Sequence, residues 1–151
     1  MSRQREQKLA AIYDAFDANN YKSVIKLTTA AIQKYPNEHV FKSLKAVALQ
    51  RTGKADEAMQ LVEHVLAAAP PDDHVLNMLL LVLKPANKMP ALLPAYEAAC
   101  SKAPGDEELM QGLFGCHVRT FNFREQQQVA MKLNKQHPSE QYQWPHLAGK
   151  L

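Results

Sequence analysis

HVFKSLKAVALQRTGKADEAMQLVEHVLAAAPPD, residues 39–72, decides the fold of this 151-residue chain. Val62, Val65 and Leu66 recur at i, i+3, i+4 spacing, the apolar stripe of a buried helix face. Gly53 divides the stretch, at a place where a turn gains from a residue able to take positive φ. Ala46 and Ala58, one on each side of that turn, are small enough to let two helices approach closely. Pro70 closes the unit, because its ring removes a donor and cannot continue a helix.

Outward from this stretch the same punctuation recurs. Pro36, Pro70, Pro104 and Pro138 stand 34 residues apart, so four of the nine prolines share one phase. That is the length of a tetratricopeptide repeat (TPR), a helix–turn–helix unit closed by a proline. The register predicts an all-α, TPR-type helical-repeat solenoid of about four helix-turn-helix repeats. They are 5–38, 39–72, 73–106 and 107–140, one domain over 5–140, with a truncated C-terminal tail at 141–151. Stacked helix pairs make binding surfaces and contain no ready-made active site.

The other repeats follow the pattern more loosely. The residue equivalent to Gly53 is Asn19 in the first and Asn87 in the third, and Asn is the next-best residue for left-handed backbone. In the fourth it is Phe121 followed by Asn122, which predicts a turn displaced by one residue. Tyr21, Met89 and Phe123 are apolar plugs at the start of each second helix. Ile12, Leu80 and Phe114 replace the small Ala46, so those pairs should sit further apart. Pro85 should end the third repeat's first helix near Leu83, and Pro90 suits the first turn of its second. Pro94 should lie one turn inside and bend it, with an irregular, wider connection over 84–89. Beyond Pro138 the pattern fades at Pro145 and Gly149, and Tyr142, Trp144 and Leu147 read as an array cut short rather than a polar cap.

Bulk properties narrow the class. A hydrophobic share of 46% with 22% charged residues fits an ordered domain with its own core. A net charge of +3, with Lys and Arg dispersed, makes no case for nucleic acid. Cys100 and Cys116 offer no disulfide framework and fit reduced thiols in helix interfaces of a cytoplasmic protein. The segment 1–8 is polar and charged, unlike a secretory signal. The longest apolar run, 75–83, is broken by Asn77 and is far short of a membrane span.

Three constellations invite chemistry, and each has a structural explanation. Gln50-Arg51-Thr52-Gly53-Lys54-Ala55 fits Q-x-x-G-x-A, by which acetyltransferases cradle a coenzyme A pyrophosphate on backbone amides. That cradle needs a strand before it, whereas this segment follows a helical pattern. The six histidines include no pair at i, i+3 or i+4, which a helix-borne metal site would need. Asp72-Asp73 and Asp106-Glu107-Glu108 fall at helix N-termini, where they cap amides and oppose the dipole. No catalytic, cofactor-binding or metal-ligating residue is assigned.

The inner surface of the array is more informative. Its apolar members are Leu9, Tyr13, Phe16, Val40, Val47, Leu81 and Val118, and the first five belong to the first two repeats. Further along it turns polar with His74, Asn77, Lys84, Glu108, Gln111 and Arg119. A chaperone-type carboxylate clamp is absent, since Leu9, Tyr13 and Leu44 occupy positions where it needs Lys and Asn. The partner-binding residues expected on this face are Tyr13, Phe16, Val47, Gln50 and Arg51.

Ile12-Tyr13-Asp14-Ala15 with Tyr21-Lys22, and Leu44-Lys45-Ala46 through Leu49-Gln50-Arg51-Thr52-Gly53-Lys54 to Glu57-Ala58, resemble a known family. So do Tyr96-Glu97-Ala98-Ala99, Glu107-Glu108, Leu113-Phe114, Arg119 and Gln126-Gln127-Gln128-Val129-Ala130. The chain resembles the N-terminal TPR region of the auxiliary, non-catalytic subunit of N-terminal acetyltransferase B (NatB). The Leu49–Lys54 segment is the most specific part. That resemblance implies a scaffold that wraps and activates a separate catalytic subunit and helps place it on the ribosome. The catalytic subunit there acetylates nascent chains beginning Met-Asp, Met-Glu, Met-Asn or Met-Gln. Family members are several times longer than this chain. The reading left beside it is a free-standing TPR adaptor for another protein or peptide.

Overall fold

A computed structural model describes residues 3–119 and 123–138, with the side chain of Phe123 excepted. Asn19, Gly53 and Asn87 all take left-handed backbone there, with φ of 55°, 83° and 56°. Each is the hinge of the same C-terminal helix closure. The amide of the left-handed residue returns to a carbonyl three residues back, at Phe16, Gln50 and Lys84 (2.9, 3.2 and 3.0 Å). The next amide returns five back, to Ala15, Leu49 and Leu83 (2.8, 2.9 and 2.9 Å). This paired closure satisfies helix-end carbonyls that would otherwise be orphaned. Three equal turns at one interval are a repeat written in hydrogen bonds.

The first turn joins α1 (Arg3–Asp17) to α2 (Tyr21–Lys34), and the second joins α3 (His39–Arg51) to α4 (Ala55–Ala68). The third follows α5 (Asp73–Met78) and α6 (Leu80–Leu83), two segments of one helical path tightened at Leu79. It leads through a short 3₁₀ turn, Met89–Ala91, into α7 (Leu92–Lys102). The pair α8 (Glu107–Arg119) and α9 (Phe123–Gln136) completes the described residues, which contain no strand. Turns this short hold the paired helices side by side. Phe121 and Asn122, at the fourth turn, lie outside the described residues, as do Tyr142, Trp144, Pro145, Leu147 and Gly149.

Gly53 has nothing within 4 Å of where a Cβ would sit, so only its backbone needs glycine. Gly53→Ala is expected to destabilise the chain by about 1 kcal/mol, the cost of a left-handed non-glycine residue. Asn87→Gly should leave stability within a few tenths of a kcal/mol or raise it. Urea denaturation followed by circular dichroism measures both. Equal effects at the two positions would remove the turn explanation.

The prolines between pairs behave differently around one another. Pro70 follows Ala69, itself left-handed at φ 43°. α6 ends at Leu83, two residues ahead of Pro85, as the pyrrolidine ring requires. The connection over 84–88 is longer than the other two by helix boundaries, yet the third closure just described holds it. Pro90 lies in the 3₁₀ turn and Pro94 is the third residue of α7. Pro94 therefore occupies the first turn of a late-starting helix rather than one turn inside, where its missing amide costs little.

The core is built around α3. Val40 to Ser43, Leu44 and Ala46 to Leu49 are all buried, because α2, α4, α5 and α6 surround this helix. Ala46 and Ala58 are fully buried, one on each of α3 and α4, the two helices with the broadest contact among the described residues. Contact between α5–α6 and α7 is the thinnest of the pairs, at the pair where Leu80 stands in Ala46's place. Met110 and Leu133, from α8 and α9, form a small cluster apart from the main core.

Caps tie the pairs together. Asp72 Oδ1 accepts from the amides of His74 and Val75 (3.0 and 3.3 Å), and Asp106 Oδ1 from that of Leu109 (3.1 Å). Asp73 departs from the capping role expected of it. Its Oδ1 accepts the hydroxyl of fully buried Tyr96 at 2.7 Å, linking α5 to α7. Glu107, in the first turn of α8, also lies 3.9 Å from His137 Nδ1. Lys102 Nζ donates to the carbonyls of Ala68 and Ala69, an ammonium on the C-terminal end of α4.

Candidate functional site

The first helices of three successive pairs, α1, α3 and α5–α6, wall a groove. At one end Tyr13 and Phe16 of α1 face Leu44, Val47 and Arg51 of α3 around a hollow of about 240 Å³. His74, Met78 and Leu81 close its far side. Arg51, His74, Met78 and Leu81 also border a second hollow of about 640 Å³, reaching Gln50, Asn77, Lys84 and Pro85. The two hollows lie side by side on the inner face, with these four residues in common.

All five residues expected on this face from sequence border the groove, in three different roles. Val47 is only 3% exposed and forms floor, so its contribution is shape. Phe16 and Gln50 are half-buried walls. Tyr13 and Arg51 are exposed residues on its rim. Val40 is buried between helices and takes no part, whereas Leu81 is 48% exposed despite being leucine. Leu44, read from sequence only as a missing clamp residue, and Met78, not expected on this face, complete the apolar lining.

Polar contacts hold the rim. The Tyr13 hydroxyl and His74 Nε2 share a hydrogen bond of 3.1 Å across 61 residues of sequence. Burial, and then the Asp72 carboxylate, push the Tyr13 phenol above its ordinary value, so it keeps its proton. Arg51 Nη1 donates to the Tyr21 hydroxyl at 3.0 Å, and the guanidinium lies 5.8 Å from that ring's centre. Tyr21 in turn meets Phe16 edge-on, 6.0 Å between centroids, and its hydroxyl donates to Asn19 at 3.1 Å. The turn residue Asn19 is thus linked through Tyr21 to the cation on the groove.

The geometry leaves no role for Gln50–Ala55 as a pyrophosphate cradle. Gln50 lies within α3, and Ala55 begins α4. The amides of Thr52, Gly53 and Lys54 all return to carbonyls of α3, so none points at a ligand. The thiols are equally unsuited to nucleophilic work. Burial pushes Cys100 up to about 11, and burial also raises Cys116 despite the Arg119 guanidinium 3.7 Å away. Among the described residues no group of three or more His, Cys, Asp or Glu side chains could hold a metal ion. No helix among them is long and apolar enough to cross a membrane.

Comparison with known proteins agrees with this architecture. A family model described as the Psidin N-terminal TPR repeats region matches residues 6–146. The chain is 37% identical over 138 residues to the N-terminal acetyltransferase B complex auxiliary subunit NAA25 of Arabidopsis thaliana. That alignment covers 86% of this chain and 13% of the relative. It is 35% identical over 137 residues to the N-alpha-acetyltransferase 25, NatB auxiliary subunit, of Homo sapiens, covering 91% of this chain and 14% of that protein. The Phagocyte signaling-impaired protein of Drosophila pseudoobscura pseudoobscura is 30% identical over 137 residues, with the same coverage. The chain therefore spans about one seventh of the length of the relatives it matches.

Proposed function

The chain belongs to the family of the Psidin N-terminal TPR repeats region, and on that premise we propose that it is a non-catalytic scaffold of the NatB N-terminal acetyltransferase complex. In this reading it supports acetylation of nascent chains by a separate catalytic subunit, in the cytoplasm and in contact with the ribosome. The unit 5–140 acts as one rigid array, and Tyr13, Phe16, Val47, Gln50 and Arg51 lie on its partner-facing side. It has no acetyl-transfer residues of its own.

The observation that carries the reading is similarity along 91% of the chain to proteins named as NatB auxiliary subunits. The groove adds support, because its walls are helix faces that leave Tyr13 and Leu81 open on a concave surface, as a partner-binding face does. Affinity purification of the tagged chain from cells should recover an acetyltransferase catalytic subunit or ribosomes. Recovery of neither would sink the proposal. Isothermal titration with acetyl-coenzyme A should give no heat of binding; a micromolar constant would overturn the assignment.

A further inference from the structure

We propose that the inner groove docks a peptide segment of a partner protein that carries apolar anchors beside acidic side chains. This goes beyond the scaffold reading and stands whether or not a catalytic subunit is bound. Among the described residues four large hydrophobic side chains are exposed, and two of them, Tyr13 and Leu81, stand on this groove. Apolar surface left open on a concave wall, over a buried floor of Leu44 and Val47, is the usual mark of a docking site.

Charge selects the occupant. Arg51 and Lys84 are both exposed and both border the larger hollow, while no carboxylate lines either one. The nearest acidic groups along α5 are already engaged, Asp72 by two backbone amides and Asp73 by Tyr96. The ionic side chains that line the hollows, Arg51 and Lys84, are therefore both cationic, while the Asp72 carboxylate acts on Tyr13 from outside the lining. Arg51 is also held in place by Tyr21, so a bound carboxylate meets a preorganised guanidinium rather than a free one. A basic segment would meet like charge, and a purely polar one would leave Leu81 and Tyr13 in water.

The test uses three fluorescein-labelled synthetic peptides of equal length with the purified 151-residue chain: an amphipathic Leu/Glu peptide, its Leu/Lys counterpart and a Ser/Glu counterpart. Fluorescence anisotropy should show saturable binding of the Leu/Glu peptide alone, weakening as salt rises. Leu81→Glu and Lys84→Glu, both at exposed positions, should each lower affinity roughly tenfold or more, as for a central interface residue. Unchanged circular dichroism shows that these variants remain folded. Absence of Leu/Glu binding, equal binding of the Leu/Lys peptide, or binding indifferent to Leu81→Glu would overturn the proposal. So would a dimer in sedimentation that Leu81→Glu dissociates, which would give the groove to a second copy of the chain.

Discussion

Gly112→Ala should destabilise the protein by about 2 to 3 kcal/mol, although alanine is the better helix former. Gly112 lies inside α8, where the exchange alone would gain about 1 kcal/mol. A Cβ there, however, would run into Tyr96 Cε1 and come within 2.6 Å of Tyr96 Cζ and Asp73 Oδ1. The ring cannot step aside. It is fully buried in α7, and its hydroxyl is held by Asp73 at 2.7 Å. Overpacking costs about 1–3 kcal/mol, and displacing a hydrogen bond to a charged group adds about 1.5–3. Their sum exceeds the helix-propensity gain. Urea denaturation measures the difference, and the double variant Gly112→Ala/Tyr96→Ala should lose no more than Tyr96→Ala alone. A neutral or stabilising Gly112→Ala would show that the close approach does not exist.

Phe41→Ala carries the other large effect, an expected loss of about 4 kcal/mol. Phe41 is completely buried in the first turn of α3, the helix that the rest of the core surrounds. Its ring stacks on Tyr35 at the end of α2, 5.9 Å between centroids and 23° between planes. Removing it opens a cavity where α2 meets α3 and takes away the ring that stacks on Tyr35. Against a total stability of about 5–15 kcal/mol for a domain, that is a large fraction. Phe41→Leu should cost less than half as much, because most of the volume stays filled. Thermal and urea unfolding of the two variants separate the outcomes; similar losses would mean that ring shape, not cavity volume, governs the site.

The repeat was readable from sequence because its punctuation is local chemistry. Proline, glycine and asparagine each restrict or release one residue's backbone, so Pro85 and the left-handed positions 19, 53 and 87 declare themselves without neighbours. Helix faces were readable in part. Tyr13, Phe16, Gln50 and Arg51 reach the groove as spacing predicts, since side chains three and four apart share a face. Pairings across the chain were not readable. Nothing local tells Tyr13 that it will meet His74, or Asp73 that it will leave its capping role for Tyr96. Gly112 is the missed clue, because a glycine within a helical pattern can mark a close approach, although Gly115 in the same helix marks none so tight. The meaning of Gly112 becomes plain only with Tyr96 beside it.

The three equal turns have a consequence for how such a surface can diversify. Asn19, Gly53, Asn87, Ala46 and Ala58 set the path of the chain, while Tyr13, Gln50, Arg51, Leu81 and Lys84 decorate the groove that the path creates. The two sets share no member. A hollow therefore exists because the chain repeats, not because any wall residue demands it. Mutation at the exposed positions Tyr13, Arg51, Leu81 and Lys84 can rewrite what the groove recognises while the buried floor of Leu44 and Val47 keeps its shape.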